Sequence, residues 1–211
     1  GSMREFVAFA TAQDGKASYG VAPGFSEFVF DGFMRATGLK MAKVPYRVRA
    51  VDATTVQEPG STGTDWRVHY VINLVNLQCD HYELTDVKGG ETFRRIPIHP
   101  GDLMMGDRAY GTPPGVASVV KAGGVVLSRI SLHNMPLFTE SGRKIPVLSR
   151  LRTLRVGQVG EWAAWVRTGD EEIAGRLVAV KRGRQAIKEA EARVLRRANR
   201  KQQSVSAETL A

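Results

Sequence analysis

Cysteine occurs once in these 211 residues, as Cys79. A single thiol excludes an internal disulfide and a cysteine-rich zinc site, and its simplest reading is a small core residue. Histidine is scarce too. His69, His81, His99 and His133 stand far apart, with no HExxH pair or other metal-ligand spacing. No apolar run approaches the roughly 20 residues that span a bilayer, and no signal peptide is recognisable. The expectation is a soluble, intracellular protein without membrane contact. The glycine-rich stretch Gly15-Lys16-Ala17-Ser18-Tyr19-Gly20 lacks the GxxxxGK[ST] spacing, which excludes a P-loop. There is no internal repeat and no low-complexity tract.

What is present is ordinary in amount and uneven in distribution. Hydrophobic residues make up 43% and charged residues 24%, enough for one sizeable core, with or without an insertion. Gly1-Ser2 ahead of Met3 reads as a cloning scar. The formal net charge is +9 with a pI near 10.0, which points to a polyanion as partner. Between Arg176 and Lys201 stand ten basic residues, among them Lys181, Arg182, Arg184, Arg193, Arg196 and Arg200, against only Glu189 and Glu191. That segment carries nearly all of the excess charge, as a nucleic-acid-binding surface would.

Residues 3 to 25 are weakly patterned, and no element is assigned to them. Ser26 is a candidate N-cap for a helix with Val29, Phe30 and Phe33 on one face and Gly38 near its end. From Val44 the pattern becomes period two. Val44, Tyr46, Val48, Ala50 and Asp52 share one face of a strand, with Arg47 and Arg49 on the other. Pro59 to Gly63 is a turn. Trp66 to Leu74 and Cys79 to Val87 read as two further strands, and 65 to 87 suits a hairpin. Glu91 to Arg95 opens a short helix that Pro97 and Pro100 end.

Leu103-Met104-Met105-Gly106, ending at Asp107, suits a buried central strand. Pro113-Pro114 begin a helix through Val116, Val119 and Val120, which Gly123-Gly124 end. Val125 to Ile130 is a fifth strand, so this stretch is a βαβ unit with a parallel pair. After His133 come a hairpin from Phe138 to Ile145, two strands (Trp162 to Arg167 and Gly175 to Lys181), and a long helix from Gln185 to Lys201. In that helix Ile187, Val194 and Ala198 share one face, and Arg193, Arg196 and Arg200 the opposite one. The order resembles that of RNase-H-like domains. The expected fold is α/β (α+β), with a mixed sheet, flanking helices and an inserted β-rich subdomain.

Two carboxylates stand out. Asp52 continues the face set by Val48 and Ala50; if that face packs inward, the charge needs compensation, which a divalent cation would give. Alternatively the strand has ended and Asp52 bonds the backbone of Thr54-Thr55. Asp107 sits where a buried strand emerges, the usual place for sites in open α/β sheets; the alternative is a turn cap before Gly111. In this strand order the first and fourth strands are neighbours. Two carboxylates there repel unless cations lie between them, and Mg²⁺ (or Mn²⁺) suits such oxygen donors.

The stretch Val51-Asp52-Ala53-Thr54-Thr55-Val56 with Asp65-Trp66-Arg67-Val68-His69-Tyr70 resembles the first-aspartate region of the fourth insertion-sequence family of transposases. Leu84-Thr85-Asp86 with Gly89-Gly90-Glu91 is similar to the segment that follows. Gly106-Asp107-Arg108-Ala109-Tyr110-Gly111 looks like the second-aspartate motif, and Val126-Leu127-Ser128-Arg129 like the arginine-bearing strand after it. The resemblance covers roughly residues 45 to 210. It implies a DDE triad that cleaves and joins DNA with two Mg²⁺ or Mn²⁺ ions, double-stranded transposon ends and target as partners, a homodimer in the DNA complex, and a cytoplasmic, nucleoid-associated place of action. Asp52 and Asp107 match the first two acids, as catalytic residues and metal ligands, and Arg129 would approach DNA. The family's third acid lies in a Tyr-Arg-Glu-Lys type signature, which this sequence lacks, so the chain reads as truncated before it and inactive for transposition.

Two other functions fit the same residues. Glu91 lies between the two aspartates, so Asp52, Glu91 and Asp107 could make a complete RNase-H-type nuclease site, although Glu91 also suits a helix N-terminus. A non-catalytic DNA-binding protein derived from a transposase would keep only the basic surface. The expected organisation is a scar at 1–2, an N-terminal helical region at 3–43, a catalytic core at 44–132, and a β-rich insertion with the basic helix at 133–211.

Overall fold

The structure, a computed structural model, describes residues 2–20, 25–43, 46–169 and 171–200, with Phe25, Ser26, Arg197 and Arg200 described by backbone alone. The expected cap side chain of Ser26, the strand start at Val44, the end of the last helix at Lys201 and the side chain of Arg200 fall outside the described residues. The chain divides into two compact units, residues 1–110 with 118–128 and residues 111–117 with 129–211.

The first unit opens with helix α1 (Met3–Ala12), closed at its start by a capping box in which Ser2 and Glu5 exchange side-chain and backbone hydrogen bonds. A two-residue strand β1 (Ser18–Tyr19) follows, then helix α2 (Phe25–Thr37), then β2 (Ala42–Lys43), which pairs with β1 in parallel. Gly38 ends α2 at φ +69°, the left-handed position that favours glycine. On α2, Phe30 and Phe33 turn inward and stack on Tyr19 and Phe6, but Val29, expected beside them, is exposed.

The main sheet contains β3 (Arg47–Val56), β4 (Trp66–Asn73), β5 (Gln78–Asp86), β6 (Asp102–Gly106) and β7 (Val125–Ser128), in the order β5-β4-β3-β6-β7. β3, β4 and β5 form an antiparallel meander, while β6 lies parallel to both β3 and β7. This mixed sheet, order 3-2-1-4-5 counted along its own strands, is compatible with the RNase-H-like fold expected. The short helix after Glu91 is one 3₁₀ turn, Phe93–Arg95. Helix α3 (Pro113–Lys121) links β6 to β7, completing the parallel βαβ unit. Val51, Val71, Phe93, Ile96, Met104, Tyr110 and Val119 form the core.

The inward face of β3 differs from the expected one. Arg49 and Val51 are buried, whereas Val48 and Ala50 are half-buried and Asp52 is exposed. An arginine can occupy the core face because every charge near it is matched. The Arg49 guanidinium donates to Asp80 at 2.8 Å, to Asp102 at 2.8 Å and to the Pro97 carbonyl at 2.7 Å. Asp102, 1% exposed, also accepts from Arg47 Nε at 2.6 Å and the His99 N–H at 3.0 Å. Burial alone pushes the Asp102 carboxyl up, but these donors outweigh it and hold it below the usual carboxylate range. Cys79, expected in the core, is instead exposed, because β5 is an edge strand of the sheet.

The second unit contains helix α4 (Val147–Thr153), the hairpin of β8 (Val159–Thr168) and β9 (Glu171–Val180), and helix α5 (Arg184–Arg200). Phe138 bridges both Lys144 and Trp165 in antiparallel fashion, so the expected hairpin from 138 to 145 extends β8. On α5, Ala198 is buried and Ile187 and Val194 half-buried, while Arg193 and Arg196 are exposed, as the helical spacing predicts. No helix among the described residues is long and apolar enough to cross a membrane.

Candidate functional site

Strand register sets the backbones of Asp52 and Asp107 at one level. β3 and β6 run parallel, and Ala50 pairs with Met105. Asp52 lies two residues past Ala50, still within β3. Asp107 lies two past Met105, just beyond the end of β6. Both side chains are exposed. Asp52 Oδ1 accepts the Ala53 N–H at 2.8 Å and its Oδ2 accepts the Tyr70 hydroxyl at 3.5 Å. Asp107 Oδ1 accepts the Ala109 N–H at 2.7 Å, closing the turn that leads to Tyr110. Each aspartate thus makes a local backbone bond of the kind that competes with a role in a site, yet each bond uses only part of a carboxylate's four lone-pair positions. Neither aspartate forms an ion pair among the described residues.

Glu91 is the third acid at this place. It is half-buried ahead of the 3₁₀ turn, and its carboxyl is held above the usual range, chiefly by burial. Arg67 opposes that shift; Asp107 and then Asp52 add to it, so Glu91 sits in the field of both aspartates. Arg67 Nε stands 4.0 Å from Glu91 Oε1, and its other arm donates to the Gly89 carbonyl at 2.8 Å. Gly89 is fixed by packing: a Cβ there would lie 2.0 Å from Thr85 Oγ1.

Tyr110, three residues past Asp107, is 1% exposed, its ring centroid 5.4 Å from that of Phe93. Its hydroxyl is buried and has no hydrogen-bond partner among the described residues. Burial pushes its pKa far up, and Glu91, Asp52 and Asp107 push further in that order. Sequence reasoning assigns no role to Tyr110 or Arg67, although both stand in the quoted motifs. The signal that marks them, burial beside like charges, is tertiary.

The donors suit a hard divalent cation: carboxylate oxygens at strand ends, with two of the acids free of a cationic side chain. Among the described residues, however, no three acidic, histidine or cysteine side chains are gathered closely enough to hold a metal ion. A metal here would rest first on Asp52 and Asp107.

The candidate DNA contacts belong to the second unit. Arg129 is exposed just after β7, which ends one residue earlier, at Ser128. Lys181 is half-buried and donates to the Arg152 carbonyl at 3.1 Å, so its ammonium is partly engaged. Arg182, Arg184, Arg193 and Arg196 are exposed. A cavity of about 290 Å³ in the same unit, between Met135, Ile145 and Val147, has Lys144 as its one titratable lining residue and contains none of the candidate site residues.

Comparison with known proteins follows the same line. The chain is 27% identical over 170 residues to the InsL protein of insertion sequence element IS186A from Escherichia coli strain K12, covering 78% of this chain and 46% of that protein. It is 27% identical, with the same coverage, to the transposase for insertion sequence element IS421 of Escherichia coli. The chain thus spans less than half the length of the curated relatives it matches. No family model and no solved structure matches it. The resemblance to insertion-sequence transposases read from the motifs is borne out by these relatives.

Proposed function

We propose that this chain is part of an insertion-sequence transposase and carries the first two acids, without the third, of a DDE site for metal-dependent cleavage and strand transfer of double-stranded DNA. The observation that supports this most directly is the parallel β3–β6 register, in which Asp52 and Asp107 each lie two residues past the paired Ala50 and Met105. Both are the catalytic acids of the reading, and both would hold Mg²⁺ or Mn²⁺. A pair of such ions would activate a water or a 3′-hydroxyl as nucleophile and stabilise the leaving oxygen. The chain's own residues do the rest. Asp52 and Asp107 fix the cations, and the protein dipoles at Ala53 and Ala109 fix the aspartates. Glu91 adds a third negative charge. Arg129 and the basic surface of Lys181, Arg182, Arg184, Arg193, Arg196 and Arg200 engage phosphates, and a homodimer would hold two transposon ends together in the cytoplasm, on the nucleoid.

Supercoiled plasmid with Mg²⁺ or Mn²⁺ tests this. Weak nicking by the unmodified chain without strand transfer, lost in both Asp52→Ala and Asp107→Ala, is expected. Unchanged nicking in either variant overturns the assignment.

A second reading, an RNase-H-type nuclease, is favoured by one feature: Glu91 stands in the field of both aspartates. It predicts cleavage of an RNA–DNA hybrid in preference to duplex DNA.

A further inference from the structure

The run from Arg176 to Lys201 is not the chain's only concentration of cations. Between Ser141 and Gly160 stand Arg143, Lys144, Arg150, Arg152 and Arg155, with no acid among them. The fold brings the end of this second run against the first. Lys181 Nζ donates to the Arg152 carbonyl at 3.1 Å, in the last turn of α4. The Gly157 N–H donates to the Lys181 carbonyl at 2.8 Å, and the Lys181 N–H to the Gln158 carbonyl at 3.2 Å. Val159 pairs with Val180 in the β8–β9 hairpin, and a Cβ at Gly183 would lie 3.9 Å from Val156 Cγ1. Residues 152–159 and 180–183 thus run side by side, at the corner where α4 leads into β8 and β9 leads into α5.

Arg152, Arg155, Arg182 and Arg184 are all exposed here, and none of their guanidiniums forms an ion pair or hydrogen bond among the described residues. Nearby acids are engaged elsewhere: Glu161 accepts from Arg176 and Glu189 from Gln185, each at 2.9 Å. Arg150 is spent on packing, its guanidinium 5.9 Å from the Trp162 ring centroid. Four free guanidiniums on two tied segments concentrate anions, and their planar forks match phosphate oxygens. This corner is not a continuation of the charged face of α5. Arg184 and Arg193 are nine residues apart on that helix, about two and a half turns, so they point to opposite sides of it, about 14 Å apart along its axis.

We propose that Arg152 and Arg155, together with Arg182 and Arg184, form a phosphate-contacting surface for the backbone of duplex DNA, separate from the one on α5. This rests on the reading of the chain as DNA-binding. Lys181 ties the two segments together through the Arg152 carbonyl and so sets the spacing of the four arginines. The basic excess then serves two contacts on different sides of α5 rather than one stripe, and half of the first contact comes from a segment outside the most basic part of the sequence.

The test is binding of a labelled 30-base-pair duplex by the 211-residue chain across a salt series. Arg152→Ala with Arg155→Ala should leave the melting temperature unchanged, since both side chains are exposed and unpaired. It should weaken binding and reduce the slope of log K against log salt by about 0.9 per phosphate lost, so by about 1.8 for the pair. Lysine at both positions keeps the charge and should restore the slope. Combined with alanine at Arg193, Arg196 and Arg200, the two reductions should add, as they do for separate sites. If the unmodified chain binds with steep salt dependence, but Arg152→Ala with Arg155→Ala keeps its affinity and slope, this proposal falls while the DNA reading stands. A lowered melting temperature with an unchanged slope assigns the two arginines to the fold and overturns it too. Reductions that do not add overturn the separation of the two surfaces. No binding by the unmodified chain removes both the proposal and the reading it rests on.

Discussion

Asp52 on β3 and Asp107 just past the end of the neighbouring parallel strand β6 each lie two residues beyond the paired residues Ala50 and Met105. Fifty-five residues apart in sequence, they are brought to one level by the parallel β3–β6 register. If they are ligands, cations should stabilise the fold through them. At free Mn²⁺ about 100 times its Kd the gain is about 2.7 kcal/mol, or roughly 2–4 °C per kcal/mol for a chain of this size. Thermal melts should show that rise in the unmodified chain and its absence in Asp52→Asn and Asp107→Asn. Equal cation-induced shifts in all three would remove the aspartates from the site.

The Arg49–Asp102 pair should set the acid limit of the fold. Asp102 has a folded pKa below its unfolded value, so the stability it contributes is full above the unfolded carboxylate range and is lost as pH falls through the folded value. Asp102→Asn leaves the buried Arg49 guanidinium without that carboxylate and should cost about 3–5 kcal/mol at neutral pH. Urea unfolding from pH 7 downward checks both points: the unmodified chain weakens below about pH 4, and the variant, already weak, changes less there.

Gly106 predicts a third outcome. A methyl group at this position would meet Phe93 and Tyr110 at 2.9 Å in the packed core. Gly106→Ala should therefore destabilise by about 1–3 kcal/mol, and, because Asp107 is the next residue, weaken Mn²⁺ binding too. Melting and titration of the same preparation test both effects; an alanine variant as stable as the parent would show that the two rings give way freely.

The strand order, the parallel βαβ unit and the amphipathic face of α5 are legible in the sequence because each depends on local pattern and short connections. The faces of β3 are not. Alternation locates the strand, but Arg49 faces the core only because Asp80 and Asp102, 31 and 53 residues away, arrive to neutralise it. Cys79 misleads for a related reason: its character suits a core, and its place on an edge strand beside the irregular pairing at Val71/Ile72 is set by its neighbours. Helix α1 is hidden because its cap, Ser2, looks foreign to the chain. The seven-residue α4 is hidden because it starts at Pro146 without a side-chain cap. At the site, the carboxylates are visible as residue types at strand ends, while Tyr110 is silent until its burial is known.

The basic helix gives the last prediction. α5 exposes Arg193 and Arg196 opposite a face carrying Ile187, Val194 and the buried Ala198, and Arg200 lies one turn further on. Concentrated charge of one sign has two consequences if it meets DNA. Affinity falls steeply with salt, because each neutralised phosphate releases condensed counterions, and it depends little on base sequence, because phosphates carry none. Replacing Arg193, Arg196 and Arg200 with alanine should weaken duplex binding. It should also reduce the slope of log K against log salt by about 0.9 for every phosphate left without its arginine. The slope separates this from a general loss of fold. A destabilised chain has less active protein at every salt concentration and keeps its slope, whereas a chain that neutralises fewer phosphates has a flatter one. Fluorescence anisotropy with two unrelated duplexes, measured across a salt series for the parent and the triple variant, reads both quantities. An unchanged slope in the variant would mean that the charged face of α5 is merely solvated and that DNA is held elsewhere on the chain.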